Sequence, residues 1–135
     1  MTKILTSIAL IGVAVVPLIQ DTGITHLHNP LWDAHARTHL VWLIAPNFLI
    51  FVLAMYLLWF KNMELLAALL SLCMLIGYDI SALTMPLYEG VSLGEGGVEP
   101  KPFGIPINLI HFNTMLLIQL VSLGLVLRRR KDRSL

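Results

Sequence analysis

Cysteine and charge are both scarce in this chain of 135 residues. Cys73 is the only cysteine, which excludes a disulfide framework and any metal motif built on cysteine pairs. Charged residues make up 13% of the sequence, and the net charge is +1. The basic residues collect in the C-terminal run RRRKDR and form no basic face with interleaved aromatic residues. We therefore expect no nucleic acid as a partner.

Apolar residues, by contrast, make up 57% of the sequence and gather in four runs at 4–20, 40–60, 65–88 and 103–127. A hydrocarbon core of ~30 Å needs roughly 17 to 25 helical residues. Helices satisfy their own backbone hydrogen bonds in lipid, so the runs predict an all-α fold, an integral membrane four-helix transmembrane bundle. We expect one transmembrane domain over 1–135, with helices at about 3–21, 30–60, 63–87 and 104–129, an outer loop at 88–103 and a basic tail at 128–135.

The placement of lysine and arginine predicts the orientation. Only Arg37 and Lys101 lie on one side of a four-span arrangement. Positive residues favour the cytoplasm, so both termini are expected there and the histidine-rich face outside. The N-terminal segment imitates a secretory signal but lacks a small-x-small cleavage site, which predicts a retained first helix. The basic residues on the cytoplasmic side would be Lys3, Lys61, Arg128, Arg129, Arg130, Lys131 and Arg133.

The predicted outer loop is rich in glycine and proline and carries Glu89, Glu95 and Glu99. It is too long for a tight turn, and its glycines argue against a packed subdomain. We interpret it as a flexible tether or, alternatively, as a lid over a site.

Four of the five histidines lie in the stretch HLHNPLWDAHARTH, at 26–39. Asn29 can cap a helix, Pro30 is tolerated at the first helical position, and a carboxylate such as Asp33 is favourable in the first turn. The second helix is therefore predicted to begin near Pro30. Asp33 and Arg37 are four residues apart and are expected to form a weak, exposed ion pair.

The second helix carries a stripe of rings at spacings of three and four. Two histidines one turn apart have a spacing that two ligands of one metal ion use, although the glutamate of the zinc-protease motif is absent. His26 and His28 would reach the same point or lie in the headgroup layer, where histidines and tryptophans anchor helix ends. The stripe consists of Trp32, His35, His39, Trp42 and Pro46.

Two titratable residues lie inside the predicted spans. Asp79 precedes Pro86, and His111 follows Pro106, at positions that place both roughly 7–11 Å below the outer ends of their helices. An ionisable side chain inside a span costs ~2.5–3.5 kcal/mol on insertion scales, so it normally faces the bundle interior and marks a site. The structural alternatives are a packing hydrogen bond for Asp79 and a satisfied core histidine for His111.

The depth of these titratable residues in the membrane, and the helix faces on which they lie, predict that helices two, three and four all contribute titratable side chains to one pocket in the outer leaflet. Imidazoles and a carboxylate bind zinc, iron, manganese or copper, and without a metal they form an acid–base pair. On the fourth helix, Thr114, Gln119 and Ser122 are interpreted as packing contacts. The candidate catalytic residues are His35, His39, Asp79, His111 and Asn108; the candidate metal ligands are His35, His39, His111 and Asp79, with His26 and His28 as further ligands; Trp32, Arg37, Trp42 and Tyr78 would contact a cofactor or substrate.

The string His-x-x-Asn-Pro-x-Trp, followed by His-Ala-Arg-x-His, resembles a pattern of small uncharacterised four-helix membrane proteins. In layout alone the chain is also similar to small four-helix membrane enzymes and oxidase-associated subunits of the DoxX and EXPERA kinds, whose sequence motifs it lacks. The first resemblance implies no activity, but it implies one functional block made of His28, Asn29, Pro30, Trp32, His35, Arg37 and His39.

These features predict a membrane-embedded enzyme that uses a metal ion or an acid–base pair on a lipid-like or isoprenoid-like substrate. A haem-bearing or quinone-contacting subunit of a redox complex is an alternative, because His39 and His111 suit a bis-imidazole haem and Arg37 a propionate. Binding or transport of a metal ion or a proton is a further alternative, although no polar stripe is expected to reach the cytoplasmic end, which argues against a path through the bundle. A structural subunit is the remaining one. The expected partners are the lipid bilayer, a hydrophobic small molecule, and a membrane complex or a second copy of the chain.

Overall fold

A computed structural model of the chain describes residues 1–91 and 99–132. This described part is helical without strands, as predicted. Four helices are long and apolar enough to span a membrane, which indicates an integral membrane protein. The central part of the outer loop, which includes Glu95, lies outside the described residues. The interpretation of this loop as a tether or a lid concerns that part of the chain. The helices are α1 (Thr2–Asp21), α2 (Ala34–Trp59), α3 (Glu64–Leu87) and α4 (Ile107–Asp132).

Helix α1 contains a wider π-helical turn at Ile11–Val15. In this turn the Val16 N–H bonds to the Ile11 carbonyl, and Pro17 follows without an N–H of its own. Pro17 does not end the helix, which continues to Asp21. The wider turn therefore carries α1 past the proline and leaves one carbonyl, that of Gly12, without a donor from its own helix.

Helix α2 begins at Ala34 and not near Pro30 as predicted. Asp33 is its N-cap, and its carboxylate accepts a hydrogen bond from the Ala36 N–H at 2.8 Å. Asn29 instead closes the preceding turn, since its side-chain oxygen accepts from the Leu31 N–H at 3.0 Å. Both residues suit an N-cap, and the one closer to the apolar run occupies it.

Helix α1 contacts the other three helices and forms the centre of the bundle. One apolar cluster joins α1 to α2 and α3, and a second joins α1 to α3 with side chains of α4 packed against it. Helix α2 is peripheral, because its only buried residues, Ala54 and Leu58, lie near its C-terminal end. The clusters are Leu10, Ala54, Leu58 and Ala67, and Ala9, Val13 and Leu75.

Polar contacts tie the helices together at the end where both described termini lie. The Thr2 hydroxyl donates to the Glu64 carboxylate at 2.6 Å and accepts from the Arg129 guanidinium at 3.0 Å. The Lys3 ammonium donates to the Asn62 side-chain oxygen at 2.6 Å, in the turn between α2 and α3. These contacts join α1, α3 and α4, and the turn between α2 and α3, at this end of the bundle.

Candidate functional site at the outer end of helix α2

His35 and His39 form a contacting pair on the first two turns of α2. Their Nε2 atoms are 2.9 Å apart, and the rings meet edge to face with centroids 4.4 Å apart. At this distance one neutral ring donates its N–H to the other, so the pair holds one proton between its two nitrogens. Both side chains are exposed, which leaves them accessible to a ligand at the outer face.

The geometry of the pair also suits a metal ion. Two nitrogens that each lie about 2.0–2.1 Å from one ion are about 2.9 Å apart when they bind at a right angle. The Nε2 atoms of His35 and His39 already have this separation. The pair therefore offers two ligands for one ion or, with its shared proton, a group that can accept and donate a proton.

A groove of about 530 Å³ lies beside the histidine pair. Trp42 belongs to both features, because its indole lines the groove and stacks on the His39 ring with centroids 5.6 Å apart. Trp42 is 67% exposed, so the groove opens away from the bundle. It is lined by Leu27, Arg37, Thr38, Val41, Trp42 and Ala45.

Arg37 lines the groove and holds the loop in front of α2. Its Nη2 donates to the carbonyls of Asn29, at 2.8 Å, and Trp32, at 3.0 Å. The ion pair predicted with Asp33 is not among the ion pairs of residues 1–91 and 99–132. The Asp33 carboxylate binds backbone instead, and the N–H groups of Ala36 and then His35 hold its pKa below the usual value.

The remaining histidines of the stretch lie in this loop. The His26 ring meets the Trp32 ring edge to face, with centroids 5.4 Å apart, and its Nδ1 is 2.9 Å from the Thr25 hydroxyl and 3.8 Å from the Asp21 carboxylate. His28 is exposed. Trp32 is thus a loop residue before α2, not a member of a continuous helical stripe.

His111 bonds to the carbonyl that the π-helical turn leaves free. Its Nε2 lies 2.9 Å from the Gly12 oxygen, and because a carbonyl only accepts, Nε2 carries the hydrogen. A side chain at position 12 would collide with Met115, since a Cβ there would lie 2.4 Å from its sulfur. Glycine at this position therefore permits α4 to approach α1, and His111 joins the two helices.

The other predicted site residues lie on α3 and α4. Asp79 is partly buried, and Tyr78 stacks on Phe112 of α4 with ring centroids 3.8 Å apart. The Asn108 N–H donates to the Glu99 carboxylate at 3.3 Å, so Glu99 caps the start of α4. Tyr78 is therefore part of the α3–α4 contact.

The structure brings together His35 and His39 but no larger set of metal-binding side chains among the residues that it describes. Within residues 1–91 and 99–132, no three histidine, cysteine, aspartate or glutamate residues lie close enough to hold one metal ion. A site that uses Asp79 or His111 together with the pair remains a prediction from depth and face.

A second set of polar residues is buried between α1, α3 and α4; sequence reasoning named Gln119 and Ser122 as packing contacts but missed Thr2, Thr6 and Ser71. The Thr6 and Ser122 hydroxyls are 2.8 Å apart, and Gln119 and Ser71 are fully buried. The available signal was the spacing of Thr2 and Thr6, and of Gln119 and Ser122, at one helical turn. Contrary to our expectation, buried polar side chains do reach the end of the bundle that was predicted to be cytoplasmic.

No family model matches the sequence. No matching protein was found among curated proteins, and no solved structure matches the fold.

Proposed function

We propose that this protein is a small membrane-embedded enzyme that acts on a lipid-like or isoprenoid-like molecule at the outer face. One observation carries the proposal: the groove and the histidine pair share Trp42, so a molecule in the groove lies beside groups that move a proton or bind a metal ion. The placement of this face outside follows from the distribution of lysine and arginine.

The lining of the groove suits an amphipathic ligand. Leu27, Val41 and Ala45 offer apolar surface for a hydrocarbon chain, while Arg37 supplies a positive charge at one edge. The Arg37 Nε is buried and has no hydrogen-bond partner among the described residues. Because an unpaired buried donor is unfavourable, an oxygen of a carboxylate, phosphate or carbonyl group is a favourable partner there.

The chemistry that the pair supports best is proton transfer. The ring of the His35–His39 pair that donates its Nε2–H to the other ring has a free Nδ1, which can accept a proton from the substrate. Two ligands are fewer than the three that catalytic zinc sites usually have, so a metal ion on this pair would need further ligands from water or substrate. The acid–base mechanism needs no additional protein group.

A haem-bearing or quinone-contacting subunit is less favoured by the geometry. The Nε2 atoms of His39 and His111 are engaged by His35 and by the Gly12 carbonyl, respectively. A bis-imidazole haem would have to displace these partners or use the other ring nitrogens. A colourless, haem-free preparation with intact helical structure would remove the haem version.

Binding is tested with a fatty acid that carries a nitroxide near its carboxyl group, added to the purified protein in detergent. In a variant that retains Trp42 as its only tryptophan, through Trp32→Phe and Trp59→Phe, we expect saturable quenching of Trp42 fluorescence. Arg37→Met should weaken the quenching at least tenfold in apparent affinity, whereas Lys101→Met, which removes a positive charge elsewhere on the same side, should leave it unchanged. Equal quenching in all three proteins would refute a ligand site at Arg37.

The metal version is tested separately by titration with Zn²⁺ and Cu²⁺. His39→Ala should abolish binding if the pair forms the site, and His28→Ala is the matched control because His28 is an exposed histidine outside the pair. Binding that survives His39→Ala would exclude the pair as the metal site and leave the acid–base proposal in place.

A further inference from the structure

Two polar side chains in the middle of the bundle are fully buried and lack partners among the described residues. Gln119 on α4 and Ser71 on α3 are both 0% exposed. Neither atom of the Gln119 amide group, nor the Ser71 hydroxyl, has a hydrogen-bond partner in this part of the chain. Buried polar groups are nearly always bonded to protein or to water, so these three atoms need a partner that the surrounding helices do not provide.

The two residues lie at the same level of the α3–α4 interface. The stack of Tyr78 on Phe112 fixes the register of the two antiparallel helices. Ser71 precedes Tyr78 by seven residues and Gln119 follows Phe112 by seven residues, which is about two turns, or about 10.5 Å, in each case. Two turns return each side chain to nearly the same face, so Ser71 and Gln119 face one interior region.

The Ser71 hydroxyl lacks the local hydrogen bond that several other helical hydroxyls make. Hydroxyls in helices commonly bond to the carbonyl four residues earlier, and Ser7, Thr84 and Thr114 do so at 2.6–2.8 Å. Ser71 is fully buried but makes no such bond. Its hydroxyl can therefore bond to a ligand in the interior without breaking a local hydrogen bond.

A series of polar groups connects this region to the cytoplasmic end. Ser122, one turn below Gln119, donates to the Thr2 carbonyl at 3.0 Å, so the Thr6 hydroxyl donates to Ser122 across 2.8 Å. Below them Thr2 contacts Glu64. A cavity of about 150 Å³ at this end is lined by Asn62, Glu64, Leu65, Val126, Arg129 and Arg130.

We propose that water enters from this cytoplasmic cavity and occupies an internal site bounded by Gln119 and Ser71. Water fits the chemistry because the amide and the hydroxyl together offer donors and acceptors and carry no charge. Arg129 and Glu64 at the mouth pair with each other at 3.7 Å, so their charges largely compensate and a neutral ligand such as water fits there. The site is distinct from the groove at the outer end of α2 and does not depend on it.

The water path ends inside the bundle. Toward the outer face, the second apolar cluster follows, with Met115 and Phe112 packed against Val13 and Leu75. His111 lies about 12 Å beyond Gln119 along α4. The proposed water site is therefore bounded by apolar side chains above Gln119.

The side-chain amide of Gln119 can be observed selectively, because Gln20 and Gln119 are the only glutamines of the sequence. Protein labelled with ¹⁵N at the glutamine side chain should give two amide pairs in an NMR spectrum of the detergent-solubilised chain. Gln20 is exposed and serves as the internal positive control, and Gln20→Asn assigns its signals. We expect water cross-peaks for both glutamines, although Gln119 has no exposed surface.

Three variants separate the outcomes. Ser71→Val should reduce the Gln119–water cross-peak at least twofold, because it removes one wall donor, and Val126→Phe should do so by blocking the mouth. Thr114→Val, whose hydroxyl bonds to its own helix, is the matched control and should change nothing. A Gln119 signal without a water cross-peak in the unmodified protein would overturn the proposal, and a cross-peak unaffected by Val126→Phe would overturn entry from the cytoplasm.

Discussion

Replacement of His111 tests the link between the proline of α1 and the histidine of α4. The π-helical turn assigns the Val16 N–H to the Ile11 carbonyl, and Pro17 has no N–H to offer. The Gly12 carbonyl therefore depends on His111 Nε2 at 2.9 Å. His111→Leu removes this donor and leaves a partly buried carbonyl without a partner.

The expected destabilisation is about 1–3 kcal/mol, the cost of leaving one buried hydrogen-bonding group unsatisfied. The dependence on Pro17 gives the sharper test. Pro17→Ala restores a backbone N–H that can bond within α1, so the Gly12 carbonyl no longer needs His111. In that background His111→Leu should cost less, with a coupling free energy of at least ~1 kcal/mol between the two positions.

The free energy of unfolding is measured for the four proteins of this cycle by chemical denaturation in detergent micelles. Thr114→Val is the control on the same helix, since its hydroxyl bonds locally to the Ile110 carbonyl, and it should change stability by less than about 0.5 kcal/mol. An equal cost of His111→Leu in the presence of Pro17 and in the Pro17→Ala background would refute the reasoning. Strong destabilisation by Pro17→Ala alone would also refute it.

Further predictions concern the loop before α2, the N-cap of α2 and the hydrogen bonds of Thr2. Arg37→Met should release the loop before α2, seen as faster proteolysis within 21–33, and Arg37→Lys should restore part of the protection. Because the pKa of Asp33 is lowered in the folded chain, its cap is fully present above the ordinary carboxyl pKa and is lost as the pH falls through the lowered value. Hydrogen exchange at the Ala36 amide should accelerate there, and Asp33→Asn should remove this pH dependence. Thr2→Val should cost about 1 kcal/mol by removing the donor to Glu64, and Thr2→Ser should cost less; equal unfolding free energies for these two variants would contradict this role of the hydroxyl.

The fold was predictable because one property, the length of uninterrupted apolar sequence, determines where a helix can span a membrane. The start of α2 was less predictable, because Asn29 and Asp33 are both good caps. The choice depends on Arg37, which bonds to the carbonyls of Asn29 and Trp32 and stabilises a loop where a helical turn was expected. Such a contact is a property of the folded loop and leaves no local pattern in the sequence.

The candidate site was predictable to the extent that it is local. The contact between His35 and His39 follows from the geometry of a single helix. A meeting of this pair with His111 depends on how α2 packs, and α2 buries only Ala54 and Leu58, far from the histidines. The partner of His111 was not predictable, because it is a backbone carbonyl. In the sequence, Pro17 alone indicated that a carbonyl of α1 would lack a donor from its own helix.

The two polar regions of the bundle constrain how the proposed chemistry can work. The polar region that begins at Thr2 ends at Gln119, and the cluster of Ala9, Val13 and Leu75 separates it from the end of the bundle where the histidines lie. Proton transfer requires a chain of hydrogen-bonding groups, and apolar side chains interrupt that chain above Gln119. A reaction at His35 would therefore exchange its protons with the outer aqueous phase, so changing Gln119 should leave it unaffected, while changing the outer pH should alter it.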